Sequence, residues 1–305
     1  MSEQEKKLPK LIVIEGTNAS GKSGLGVELA LRFGGEIISA DSRQVYRGMD
    51  LGSGKITLEE MKGVPHHLLD VVEPGNFFSM ADYQRLAYEA VEGIVNRKHT
   101  PFLIGGTGLY VDAVADGYNL SDKAPDHGRR AYYETFETPE LYEMLRRRMP
   151  DTDVDPRNRH RVMRMLEKLD AGDEAPAGKT PRFELLKLGV TWPREILKSR
   201  IDERLERRLQ EGMVEEVREL MKNGVSETFL VKLGLEYRYL TWYLTGKIGY
   251  DQMKEELGNA IKKFAKRQMT WFRRDLRIHW LDMAADPISE AGNLIQVFLN
   301  DDANN

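Results

Sequence analysis

Gly16-Thr17-Asn18-Ala19-Ser20-Gly21-Lys22-Ser23 is a complete G-x-x-x-x-G-K-S phosphate loop, and the apolar run Leu11-Ile12-Val13-Ile14 stands directly before it. A strand, a glycine-rich turn and then a helix bring backbone N–H groups together at a helix N-terminus, which makes a concave anion site. Lys22 supplies a mobile cation, and Ser23 places a hydroxyl where Mg²⁺ sits beside a bound phosphate. The sequence therefore predicts that Gly16 to Ser23 hold a polyphosphate, without saying whether that polyphosphate belongs to a nucleotide.

Outward from the loop, the first half of the chain alternates strand and helix as a parallel sheet with crossover helices does. Strands are expected at Leu11 to Glu15, Glu36 to Ser39, His67 to Val71 and Pro101 to Ile104, with helices over Lys22 to Phe33 and Ser79 to Lys98. Pro, Asp, Arg and Gly clusters then surround two helical stretches, near Pro139 to Arg148 and Arg157 to Ala171. Phe183 to Thr191 reads as a late strand, Arg277 to Leu281 as another, and the text between them is helical and heavily charged. The fold class is α/β, a P-loop NTPase-like parallel-sheet core with a helical insertion lobe. The first part of the core covers residues 1–116, the lobe 117–178, and the return to the core, with charged helices and a C-terminal basic segment, 179–305.

A length of 305 residues, with 41% hydrophobic and 31% charged residues, is ordinary for a folded globular protein. No apolar run approaches the roughly 20 residues that span a bilayer, and the leader, residues 1–7, is too charged and acidic for a targeting peptide. Cytoplasm, no membrane and a monomer are the expectations, with the tail frayed. The absence of cysteine excludes disulfides and thiol catalysis. A net charge of −4 confines any nucleic-acid contact to local basic patches. Three exist: Arg146-Arg147-Arg148; the run Arg157, Arg159, His160, Arg161 and Arg164; and Lys262 to Arg277, where Phe264, Trp271 and Phe272 are interleaved. One such run is as readily a solvated helix face, but three together favour an anionic polymer.

Asp41, in Ser39-Ala40-Asp41-Ser42-Arg43-Gln44, falls at the carboxyl end of the second strand, the sheet edge where ligands bind in open parallel sheets. Asp-Ser after a strand is also an ordinary turn or helix cap. Beside a phosphate loop, its carboxylate should hold Mg²⁺ or take a proton. Gly105-Gly106-Thr107-Gly108 ends another strand on that edge, where glycines admit an anion and Thr107 offers a hydroxyl.

This series resembles the tRNA dimethylallyltransferases, also called isopentenyl-diphosphate:tRNA transferases, from about Leu11 to Leu281. The resemblance rests on the phosphate loop, Asp41 to Tyr46, Gly48 to Gly52, Pro65 to Asp70, Gly105 to Tyr110, Arg161 to Glu167, Arg200 with Arg204, and Ala265 to Arg274. Thr17-Asn18 stand where that family usually has Pro-Thr. The likeness implies Asp41 as general base, with Thr107 and Arg204 as ligands of the diphosphate leaving group, so Asp41, Thr107 and Arg204 form the catalytic set. It implies tRNA contacts at Asp41, Ser42, Arg43 and Gln44; at His160, Arg161 and Arg164; at Lys232 and Arg238; and at Lys266, Arg267, Trp271, Arg273 and Arg274. The partners are then dimethylallyl diphosphate and tRNA, with Mg²⁺ at Ser23. Gln44 is a candidate for the edge of a flipped adenine.

A kinase with Asp70 on Mg²⁺ would leave Gly105 to Tyr110 unexplained, and a GTPase would need an Asn-Lys-x-Asp motif, which is missing. A pure RNA-binding module would not need the loop. A free adenine nucleotide is the nearer rival acceptor. His66 and His67, adjacent on a strand, should face opposite sides. Met144 to Met165 should pack a core. Glu203, Glu206, Glu215 and Glu216 should be surface partners of basic residues, and helical spacing alone would place Arg204 among them.

Overall fold

Leu11, Ile12, Val13 and Ile14 are fully buried, as a strand must be when helices cover both faces of its sheet. In the computed structural model, which describes residues 8–120, 127–172 and 178–301, they belong to β1 (Lys10–Gly16). The leader and the last four residues of the tail lie outside the described residues. After β1 come α1 (Lys22–Arg32), β2 (Gly35–Ala40), α2 (Leu58–Met61), β3 (His66–His67), α3 (Met80–Asn96), β4 (Thr100–Gly105) and α4 (Gly108–Ala115). Residues Tyr118–Thr180 form a compact unit of their own, with α5 (His127–Glu134), α6 (Thr138–Arg148) and α7 (Arg159–Asp170). The chain then re-enters the first unit through β5 (Glu184–Thr191), α8 (Arg194–Gln210), α9 (Met213–Lys222), α10 (Glu227–Leu233), α11 (Leu235–Leu244), α12 (Tyr250–Phe272), β6 (Ile278–Asp282) and α13 (Pro287–Asn300).

The six strands lie in the order β3-β2-β4-β1-β5-β6, every pair parallel. Side chains alternate across β1: Ile12 and Ile14 pack with Leu25, Leu29 and Ile295, while Leu11 and Val13 pack with Tyr83, Val91 and Val111. Because the strands are parallel, the segments after β1, β2, β4 and β5 all emerge at one edge. The register Glu15↔Gly105 and Ala40↔Gly105 brings the phosphate loop, Asp41 and Gly106-Thr107 to the same height there. A third cluster joins Tyr46 and Met49 to the helices α8 to α12 through Leu205, Tyr237, Leu257 and Ile261.

The α/β parallel-sheet core with a helical lobe is the architecture observed. One strand was overdrawn, since β3 stops at His67 and Leu68 and Asp70 take left-handed backbone angles, φ 64° and 56°. Val71 and Val72 instead donate to the carbonyl of Val45. The helices α2, α4 and α5 are not among those expected from the sequence. His66 Nδ1 bonds the Val64 carbonyl and His67 Nε2 bonds Glu36. In the unit Tyr118–Thr180, Leu141, Leu145, Val162, Met163 and Leu166 make the core, with Met144 and Met165 packed against it. Among the described residues no helix is long and apolar enough to cross a membrane.

Candidate active site

The loop is braced so that it offers donors to an anion. Trp192 Nε1 donates to the Ser20 carbonyl at 2.9 Å, and Arg200 Nε donates to that of Ala19 at 3.0 Å while stacking over the Trp192 ring. With two loop carbonyls so engaged, the opening turn of α1 contributes N–H groups that have no partner within the helix. Ala19 itself is held at φ 60°, a conformation that costs a non-glycine residue about 1–2 kcal/mol.

Across the edge, Asn18 N donates to Gln268 Oε1 at 3.0 Å, and Gln268 Nε2 donates to the Gly106 carbonyl at 2.8 Å. This one side chain of α12 therefore ties the phosphate loop to the Gly105-Gly106-Thr107 turn. At Gly106 a Cβ would lie 2.8 Å from Gln268 Nε2 and 3.3 Å from both Lys22 Nζ and the Gly16 carbonyl oxygen, so any larger residue would press on this crossbar. Thr107 Oγ1 accepts from Ser42 N, and Asp41 Oδ1 accepts from Arg43 N at 2.9 Å. Asp41 Oδ2 has no hydrogen-bond partner among the described residues.

Two cavities meet at this edge. One is lined by Asn18, Asp41, Arg43, Thr107, Phe264 and Gln268, among others. The other follows the loop from Ala19 to Gly24 and runs along the arginine face of α8. Ala19, Arg204 and Arg208 line both.

Burial, aided by the Arg204 charge and opposed by Asp41, pushes the Lys22 ammonium down to about 8. Burial pushes Arg204 down to about 10, with Arg208 as the next cause. A lysine with a lowered value is charged below it, and a bound diphosphate favours the charged form. Pyrophosphate affinity, referred to a Lys22→Met variant, is therefore expected to hold steady below about pH 8 and to fall above it. Near about pH 9, calorimetry in buffers of different ionisation enthalpy should record proton uptake on binding. No uptake beyond that of Lys22→Met would remove Lys22 as the titrating cation.

The remaining candidates sort by place. Ser20, Gly21, Lys22 and Ser23 line the loop cavity, Asn18 the Asp41 cavity and Ala19 both, whereas Gly16 and Thr17 are buried and line neither. Ser42 and Arg43 line the Asp41 cavity. Gln44 does not: its amide is committed to Ser39 Oγ and to the Gly54 carbonyl. Lys266 and Arg273 are exposed, Arg267 lies over Phe264, and Arg274 lies over Trp271, whose indole N–H donates to Asp112. Lys232 is exposed, and Arg238 donates to the Val231 carbonyl. In the unit Tyr118–Thr180, His160 and Arg161 are exposed, while Arg164 pairs with Glu167.

Glu216 is no surface partner of an arginine, since its carboxylate accepts the backbone N–H groups of Asp50, Leu51 and Gly52 and the Tyr237 hydroxyl. Arg204 is turned to the cavity wall, where Nη2 donates to the Gly54 carbonyl. Gln268, Arg208 and Glu236 were not singled out from sequence. Gln268 was findable, because Ile261, Ala265, Gln268 and Phe272 form the buried stripe of α12 and a polar residue in such a stripe needs partners.

A parallel α/β core with a phosphate loop at the edge that carries Asp41 defines the class as a phosphate-loop protein. The chain belongs to the IPP transferase family, whose model matches residues 44–275. It is 41% identical over 293 residues to tRNA dimethylallyltransferase 1 of Geotalea uraniireducens, covering 94% of this chain and 97% of that one. With tRNA dimethylallyltransferase 2 of Shewanella sediminis it shares 43% identity over 289 residues, 92% and 96% of the two chains. The tRNA isopentenylpyrophosphate transferase of Bacillus halodurans superposes with a TM-score of 0.75 at 37% identity, over 96% of this chain and 98% of that one. A eukaryotic dimethylallyltransferase acting on tRNA superposes with a TM-score of 0.80 at 25% identity, over 97% and 80%.

Proposed function

We propose that this protein transfers the dimethylallyl group of dimethylallyl diphosphate to the exocyclic amine of the adenosine 3′ of the anticodon in tRNA, releasing diphosphate. The observation that carries this is the meeting of the two cavities at Ala19, Arg204 and Arg208, with Lys22 on one side and Asp41 on the other. Family membership supports the donor and the acceptor alike.

In the reaction the allylic carbon–oxygen bond breaks with its electron pair going to the diphosphate, and a carbon–nitrogen bond forms to the adenine amine. Negative charge grows on the diphosphate, where Lys22, Arg204 and the loop N–H groups stabilise it more in the transition state than in the ground state. The amine proton goes to Asp41 Oδ2, the oxygen not held by Arg43 N. Thr107, fixed by its bond with Ser42 N, offers its hydroxyl proton to the leaving group.

Mg²⁺ fits the donor set: Ser23 is exposed in the loop cavity, and Mg²⁺ commonly takes one or two protein oxygens together with phosphate oxygens and water. Ser23 would hold it, and the ion would supply further charge neutralisation on the diphosphate. Transfer to tRNA fits the cytoplasm as compartment.

The test is incubation with labelled dimethylallyl diphosphate and Mg²⁺, offering tRNA, AMP or ADP as acceptor. Label on tRNA is expected. Label confined to the free nucleotide would reject the tRNA reading, and ATP consumption without transfer would favour a kinase.

The exposed basic residues at the end of α12 are read as phosphate contacts. Neutralising Lys266, Arg267, Arg273 and Arg274 should weaken tRNA binding and lower its salt slope by about one per lost contact. A four-site variant that keeps the wild-type slope would make this segment a solvated face.

A further inference from the structure

Arg208 extends the spacing of Arg200 and Arg204 by one more turn of α8, so the three share a face. Its side chain is buried, with 7% of it exposed. Nη1 makes a long contact of 3.4 Å with Glu236 Oε1, while Nε and Nη2 have no hydrogen-bond partner among the described residues. Glu236 is buried as well, and its other oxygen, Oε2, takes Arg43 Nη1 at 3.3 Å. One carboxylate thus serves two guanidiniums, and Arg204 adds a third beside them. Gly54, at φ 66°, allows this crowding: a Cβ there would lie 1.9 Å from Arg204 Nη2 and 3.5 Å from Arg208 Cζ.

A buried guanidinium with two unpaired donors has lost its hydration without replacement, and the excess positive charge repeats the deficit at the level of the cluster. An anion arriving where the two cavities meet supplies both what the donors need and what the charge balance needs. We propose that Arg208 is a further ligand of the diphosphate leaving group, giving Nε and Nη2 to its oxygens, with Glu236 as the residue that positions it. The inference rests on the donor assignment made above. The planar fork suits two oxygens of one phosphate, and it binds more tightly as the departing group gains charge. Because Glu236 also holds Arg43, two residues from Asp41, it links the leaving-group side of the junction to the acceptor side.

Titration calorimetry with inorganic pyrophosphate and Mg²⁺, on the full chain, tests this without requiring turnover. Arg208→Gln should weaken pyrophosphate about 10- to 100-fold, the range expected for losing a charge-assisted hydrogen bond. Arg208→Lys should fall between, since it keeps the charge and loses the fork. Affinity for tRNA should stay within about threefold, well short of the loss from a deleted charged contact. Should Arg208→Gln leave Glu236 too poorly balanced to fold, the double variant Arg208→Met with Glu236→Gln removes both charges and should show the same loss. Pyrophosphate affinity within about twofold of wild type in the folded variants would overturn the assignment, since a purely structural arginine would lower melting temperature and leave that affinity alone. A wild-type protein that binds no pyrophosphate would remove the donor site itself, and this inference with it.

Discussion

Asp41→Asn is expected to lower single-turnover transfer by about two to four orders of magnitude, the usual cost of losing a general base, while tRNA binds as before. The substitution is nearly isosteric, and the hydrogen bond that Asp41 Oδ1 accepts from Arg43 N survives with the amide oxygen. What disappears is the second oxygen as a proton acceptor, and an exocyclic adenine amine is a poor nucleophile while its proton stays. Filter binding of tRNA and transfer of labelled allyl group on the same preparation separate the two effects. Unchanged transfer would take Asp41 out of the mechanism, and lost tRNA affinity would make it a binding residue instead.

The second large effect concerns stability. Lys187 is fully buried in the sheet, 2.7 Å from Asp275, 3.4 Å from Glu15 and 3.7 Å from Asp112. Lys187→Met leaves Glu15 and Asp112 without their cation while Asp275 keeps Arg277, and breaking such a buried pair typically costs about 3–5 kcal/mol. The pH dependence identifies the cause. Burial pushes the Glu15 carboxyl up from 4.5 to about 7, against the pull of Lys187. Between those values the folded protein binds more protons at Glu15 than the unfolded chain, so this group takes stability away as pH rises through the window. Without Lys187 the carboxyl rises further and the loss continues above neutrality. Thermal melts should therefore show a modest gap from wild type near about pH 5 and a wide one near about pH 8. Adding Glu15→Gln should recover much of the difference. A gap independent of pH would mean that packing, not charge, sets the role of Lys187.

The edge of the site was legible because its chemistry is contiguous in the chain. The loop Gly16 to Ser23, Asp41 and Gly106-Thr107 each sit directly after a strand, and parallel pairing alone brings strand ends together. Arg208 and Glu236 were not legible, because each is an ordinary helical charge until tertiary packing sets them against each other 28 residues apart. Glu216 deceived for the same reason, since its partners Asp50, Leu51 and Gly52 lie more than 160 residues away. The overrun of β3 has a local cause: Leu68 takes a left-handed angle that leucine rarely adopts, and Asp70 takes another, so the apolar run after His67 still reads as strand. Gly108 to Ala115 is short and apolar, without a side-chain cap at its start, and so gives little helical signal.

Gln268 makes α12 a shared part. One side of this helix displays Lys266, Arg267 and Thr270 to solvent, and the other supplies the crossbar between Asn18 and Gly106. Transplanting this helix whole from a relative would also replace a wall of the Asp41 cavity and the brace of the phosphate loop. A workable transplant changes the outward positions and keeps Ile261, Ala265, Gln268 and Phe272 as a fixed chassis, so the solvent face can vary while the brace stays in place.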